Sequence, residues 1–267
     1  MRLKFILSLI ALAPLCMPAV GQKTATDWFE TGNALYKQDK HDEAVQAYDN
    51  AIALNPQYEE AWTQKGVALF GSESANADDS VRCFDNAIMI NPNYAEAWYQ
   101  KGWWLDTSVV YAFMNGGPDA RDEMARKALE CFDEVTRIEP NNTKALEKKG
   151  DNLKLLGMNT EALLCFDRII SIDPKDNWTC YKAWADKGEI YRKLKNYELA
   201  INCYDQAISA YDDDKTSVLY HLLFEGKAIA LLELGRTAEA DAVQAQAREF
   251  GGEGKLERVE YVGAGEI

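Results

Sequence analysis

Between residues 25 and 248, apolar and polar positions follow a plan that recurs six times. The copies begin DWFETGNALY, EAWTQKGVALF, EAWYQKGWWL, KALEKKGDNLKLLG, KAWADKGEIYRKLK and LLFEGKAIALLELG. In each, a bulky residue (Trp28, Trp62, Trp98, Leu146, Trp184, Leu222) stands four before a glycine (Gly32, Gly66, Gly102, Gly150, Gly188, Gly226). A second helical segment follows, with a small residue (Ala44, Ser80, Ala128, Ala162, Ala200, Ala238) four before a ring: Tyr48, Phe84, Phe132, Phe166, Tyr204, and in the sixth copy Ala242 instead. Pro56, Pro92, Pro140 and Pro174 close the first four copies, because proline cannot donate the next helical hydrogen bond. Small residues let two antiparallel helices approach, and the rings fill the space between hairpins.

This pattern resembles the tetratricopeptide repeat, with its period of about 34 residues, its W-x2-L-G opening, A-x3-F second helix and closing Pro. The resemblance implies an all-α fold: a right-handed superhelical solenoid of about six helix-turn-helix repeats. The boundaries expected are 25–58, 59–94, 95–142, 143–180, 181–218 and 219–248, with a flexible glycine-rich tail at 249–267.

The third copy departs from the period, since Gly102 and Gly150 lie 48 apart whereas Gly32 and Gly66 lie 34 apart. Its excess falls between its two helices, which predicts two arms lengthened by about two turns each. Asn115-Gly116-Gly117 is the expected turn and Pro118 the expected start of the second arm. The lengthened tip, 106–124, carries Val109, Val110, Tyr111, Phe113 and Met114. These either fold back on the same hairpin or a neighbour, or form an apolar docking surface. Smaller excesses before Trp184 and before Leu222 read as longer connections between repeats.

The first 21 residues stand apart from the repeats. Arg2 and Lys4 precede an apolar run from Phe5 to Leu15, and Ala19-Val20-Gly21 offers a small-x-small cleavage site, the pattern of a secretory signal peptide. An uncleaved anchor is the alternative, although the run falls short of the ~20 residues a spanning helix needs. The remaining chain is expected to have no membrane span and to work outside the cytoplasmic membrane, secreted or in the cell envelope. A formal net charge of -14 disfavours nucleic acid, whose phosphates such a chain repels.

The chain offers little chemistry. Its two histidines, His41 and His221, lie in different copies, and no nucleophile elbow, zincin helix or phosphate loop is present. Cys83, Cys131, Cys165 and Cys203 each precede the ring of a second helix. Stacked helices lie about 8–10 Å apart, too far for a ladder of disulfides, so these read as small buried apolar residues. No catalytic residue, cofactor or metal is expected. The sequons at Asn141 and Asn177 fall in turns after a closing proline.

The resemblance also implies where a partner would bind, because family members line an inner wall with first-helix residues near the signature Trp. Here these are Phe29, Asn33, Gln64, Val67, Tyr99 and Trp103, amide and aromatic, then Glu147, Asp151, Lys182 and Glu189. The family's carboxylate clamp is not reproduced: Asn33 matches one amide, but Phe29 stands where a lysine belongs, and Glu96 and Gln100 replace the basic pair. Lys144 and Lys148 match that pair in the fourth copy, but two copies upstream Thr63 and Val67 supply no partner for them. The function expected is a non-catalytic scaffold that binds a peptide or helix of a partner protein. The alternative is a structural subunit of a cell-envelope assembly docking through the tip at 106–124. A second copy of the chain is among the candidate partners.

Overall fold

The computed structural model describes residues 23–72, 77–172, 177–210 and 218–250, and their regular structure is helical throughout. The leader expected at 1–21 and the tail from 251 onward lie outside the described residues. The helices are α1 (Ala25–Tyr36), α2 (His41–Leu54), α3 (Glu59–Phe70), α4 (Ala77–Ile90), α5 (Ala95–Ile138), α6 (Thr143–Leu155), α7 (Asn159–Ile172), α8 (Asn177–Lys193), α9 (Tyr197–Ala210), α10 (Val218–Glu233) and α11 (Thr237–Phe250). They form two compact units that divide after Cys83.

In the first unit, Thr24 caps α1. Its hydroxyl accepts from the Asp27 amide at 3.1 Å while the Asp27 carboxylate accepts from the Thr24 amide at 2.7 Å, closing a capping box. Tyr48 of α2 is wholly buried, and a Cβ added to Gly32 would come within 2.5 Å of its ring. The second unit repeats this join. Gly102, Gly150 and Gly188 lie against Phe132, Phe166 and Tyr204 so closely that a Cβ would reach the ring at 2.9, 2.7 and 2.7 Å. Glycine recurs there because nothing larger fits.

The turn between the two helices of a hairpin needs one left-handed residue, seven after the landmark glycine. Asp39, Gly157 and Lys195 hold that place with φ of 58°, 73° and 61°.

Gly235, at φ 75°, corrects the sixth copy. Counting back seven residues puts its landmark at Ala228, not Gly226, and the remaining markers agree. Phe224, Ala228 and Ala240 are buried, at 5%, 1% and 0% exposure, whereas Leu222 is 52% exposed and Ala238 is exposed. The physical reason lies in the second helix. The ring's place is taken by Gln244, so the landmark has room for a Cβ and alanine replaces glycine. Gly226 instead lies against the preceding copy's Tyr204, where a Cβ would meet Cζ at 2.6 Å.

α5 is two arms joined at one residue, Gly117, at φ 73° and ψ −164°, with Pro118 opening the second arm. Leu105 packs with Ala128, Cys131 and Phe132, so the arms fold back on each other. Four residues make the α1–α2 turn and one makes this turn. The first arm accordingly gains roughly three turns and the second roughly two.

α8 corrects another expectation. It begins seven residues before Trp184, whereas α1 begins three before Trp28. That excess is an added helical turn rather than a longer connection, and it seats the buried Cys180 and Tyr181.

Candidate functional site

The first arms of the hairpins expose one face that runs across each unit, and the residues expected to bind a partner lie on it. In the first unit Phe29 is half-buried, with ring centroids 5.9 Å from Tyr48 and 5.0 Å from Tyr58. Asn33 accepts a hydrogen bond from the Tyr48 hydroxyl at 2.8 Å. Both therefore brace Tyr48 as well as lining the face. Gln64 and Val67 on α3 are half-exposed.

In the second unit Tyr99 packs on Phe132, centroids 6.0 Å apart, and Trp103 is half-exposed one turn further along α5. The charged residues beyond them are joined from helix to helix. Lys148 of α6 donates to Asp106 of α5 at 2.8 Å, and the Asn152 side-chain amide donates to the other Asp106 oxygen at 2.9 Å. Lys182 of α8 reaches back to Glu147 at 2.5 Å and Asp151 at 2.8 Å. Lys154 of α6 reaches forward to Asp186 and, at 3.0 Å, to Glu189. Lys193 donates to the other Glu189 oxygen at 2.8 Å.

Lys148 is thus committed inside the wall. It is not available as half of a carboxylate-gripping pair with the exposed Lys144, so the structure does not bring that pair together as a site. Sequence reasoning chose Glu147, Asp151, Lys182 and Glu189 but missed Asp106, Asn152, Lys154 and Asp186. Their signal was present, because Asp106 and Lys154 share an offset of four after the landmark, and Lys148 and Asp186 share an offset of two before it.

The electrostatics follow from burial and pairing. Burial opposes the charge on Lys182, yet Asp151 and Glu147 hold its pKa above the usual lysine value. Burial alone would raise the Glu189 carboxyl, but hydrogen bonds and charge from Lys193 and Lys154 bring it down to about 2. Asp186 moves the other way. Burial outweighs the Lys154 ammonium, and one of its oxygens is buried without a partner.

Val109 is 8% exposed, so it belongs to the inside of the α5 hairpin and not to an outer patch. Residues along a helix turn by about 100° each, which points Val109 inward and leaves Val110, Tyr111 and Met114 outside, at 66%, 72% and 78%. Phe113 is 48% exposed, with the Arg121 guanidinium 5.8 Å from its ring centre.

The cysteines of the second helices are buried and form no disulfide. Burial pushes the Cys83 thiol up to about 11 and the Cys131 thiol up to about 12, which keeps them protonated and unreactive. Among the described residues, no three His, Cys, Asp or Glu side chains are grouped as a metal would require. No helix among them is long and apolar enough to cross a membrane.

Residues 32–72 match the model of the TPR repeat, and residues 181–214 match that of the tetratricopeptide repeat. Those two stretches are similar to tetratricopeptide repeats. No curated protein matches the chain. Among solved structures it is similar to YrrB, described as a TPR protein with an unusual peptide-binding site: 22% identity, 71% of this chain and 87% of that one, TM-score 0.56. It is similar to MamA (41-end) from Desulfovibrio magneticus RS-1 at 15% identity, covering 71% and 96%, TM-score 0.57. A third is a thermophilic TPR protein in Thermus thermophilus, at 17% identity, covering 78% and 100%, TM-score 0.50. At these identities the likeness is one of fold.

Proposed function

We propose that this chain is a non-catalytic scaffold that binds a peptide or helix of a partner protein along the first-helix face, outside the cytoplasm. The observation that carries the reading is the inner wall of the second unit. There Tyr99 and Trp103 stand half-exposed beside a charged row whose side chains are fixed by their neighbours. A preformed surface of rings and fixed charges can order an extended partner at low entropic cost. The peptide-binding site described for YrrB is a precedent for one on this fold. The extracytoplasmic location rests on the basic, apolar and small-residue pattern of residues 1–21.

The test is affinity capture from native envelope extract with the chain beginning at Gln22, beside a Tyr99→Ala, Trp103→Ala variant. A specific partner retained by the parent and lost by the variant is the expected result. Retention of the same partner by both forms overturns the groove reading. A second reading, docking of an envelope assembly through the hairpin tip, is favoured by the exposure of Val110, Tyr111 and Met114. It predicts loss with Val110→Asp, Phe113→Asp instead. Amino-terminal sequencing of the protein from its native cell tests the location, with Gln22 expected as the first residue.

A further inference from the structure

The charged row of the second unit follows a rule, and the rule fails at one step. The residue four after each landmark reaches the next helix: Asp106 of α5 meets Lys148 of α6 at 2.8 Å, and Lys154 of α6 meets Asp186 and Glu189 of α8. Asp186 and Glu189 stand two before and one after the landmark Gly188. Arg192 is the equivalent residue on α8. On α10, counted from Ala228, the two places it should reach are Gly226 and Ile229, and neither carries a carboxylate.

The replacement extends along the helix. Where α6 carries Lys144, Lys148, Asp151 and Lys154, α10 carries Leu222, Gly226, Ile229 and Leu232. Leu222 and Leu232 are 52% and 44% exposed. Arg192 is left half-buried at the border between a charged helix and an apolar one. Among the described residues it forms no ion pair, and its Nε–H is buried without a hydrogen-bond partner. The Tyr204 hydroxyl, which sits over Gly226, is near enough to feel the guanidinium charge. Every inner-wall lysine joined in the row has a carboxylate of this chain, and among the described residues Arg192 has none.

We propose that Arg192 is the receptor for a carboxylate of the bound partner, whose adjoining apolar side chains lie on Leu222, Ile229 and Leu232. This rests on the peptide-binding reading above and names the chemistry of the peptide that fits the α8–α10 step. The guanidinium presents a planar fork that a carboxylate fills with two parallel hydrogen bonds, and the half-buried setting strengthens them. The carboxylate can come from an acidic side chain or from a chain terminus.

Three acetylated pentapeptides separate these sources in calorimetric titration of the full chain. Leu-Gly-Leu-Leu-Glu amide carries a side-chain carboxylate, Leu-Gly-Leu-Leu-Gln acid a terminal one, and Leu-Gly-Leu-Leu-Gln amide none. At least one acidic peptide is expected to bind about tenfold tighter than the neutral one, as one charge-assisted fork allows. Which one it is identifies the source.

Arg192→Gln should erase that preference, while Lys193→Gln, which changes a lysine held by Glu189, keeps it. Ile229→Glu supplies Arg192 with an internal carboxylate. It should erase the preference while leaving the melting temperature at or above the parent's, so that loss of folding cannot mimic the result. Equal binding of all three peptides overturns the assignment and leaves peptide binding standing. Absence of any binding overturns the assignment too, and the capture experiment with Tyr99 and Trp103 then decides the broader reading separately.

Discussion

Two rows of lysines cross the second unit, one just before the landmark residues and one along the inner wall, and their settings differ. The first row is the same at every join. Lys101, Lys149, Lys187 and Lys227 each meet the aspartate that follows the preceding copy's ring: Asp85, Asp133, Asp167 and Asp205. Those carboxylates are about half exposed, at 51%, 49%, 55% and 48%. The inner row changes its residues and even the order of its charges from helix to helix. Its carboxylates are more enclosed, Asp186 at 12% and Asp106 at 20%. A constant bridge whose carboxylate is half open to water repeats with the fold and contributes little energy. A variable, enclosed network costs more to disturb and gives each step its own surface.

Under both rows lies the ring join, and breaking it should have the largest effect. Phe166→Ala removes a side chain with 0% exposure that is seated on Gly150. Loss of about 3–5 kcal/mol in urea unfolding is expected, because a cavity opens in addition to the lost transfer energy. A loss below about 1 kcal/mol would mean that the join collapses freely and does not set the hairpin spacing.

The next effect separates the rows directly. Lys154→Met leaves Asp186 and Glu189 without their shared cation and should destabilise by about 1–3 kcal/mol, since one of those carboxylates is nearly enclosed. Lys149→Met, in the repeating row, should change stability by less than about 0.5 kcal/mol. Equal effects in the same unfolding measurement would erase the distinction between the rows.

How far the sequence disclosed this arrangement depends on which row is considered. The ring join was legible because Gly and Phe or Tyr recur at fixed offsets, and repetition turns one weak signal into a strong one. The sixth copy was misread by two residues for a physical reason. Once Gln244 replaces the ring, the landmark no longer has to be glycine, so Ala228 carries no mark while Gly226, small for the sake of Tyr204, imitates one. The tip was legible in composition but not in direction, since only the packed hairpin shows that Val109 turns inward and Val110 outward. The inner row was the least legible. A lysine in isolation reads as solvated, and its commitment to Asp106 or Asp186 appears only when neighbouring helices are laid side by side.

The smallest effect sharpens the comparison through pH. Glu189 titrates in the folded chain at about 2, below the usual carboxylate value of 4.5, because Lys193 and Lys154 hold it ionised against the opposing pull of burial. A depressed folded pKa contributes stability above the unfolded value, and the contribution is lost as pH falls from about 4.5 toward 2. Asp186 has the opposite sign: its pKa is raised by burial, so protonation in the same acid range relieves a cost rather than removing a benefit. The two shifts therefore offset one another, and Glu189 is 35% exposed, which screens its share further. Glu189→Gln should lower stability by about 0.5–1 kcal/mol at pH 7, and its melting curve should converge on the parent's as pH approaches 2. A gap that stays constant across that whole acid range would show that Glu189 acts through packing alone, and the inner row would then owe its order to shape rather than charge.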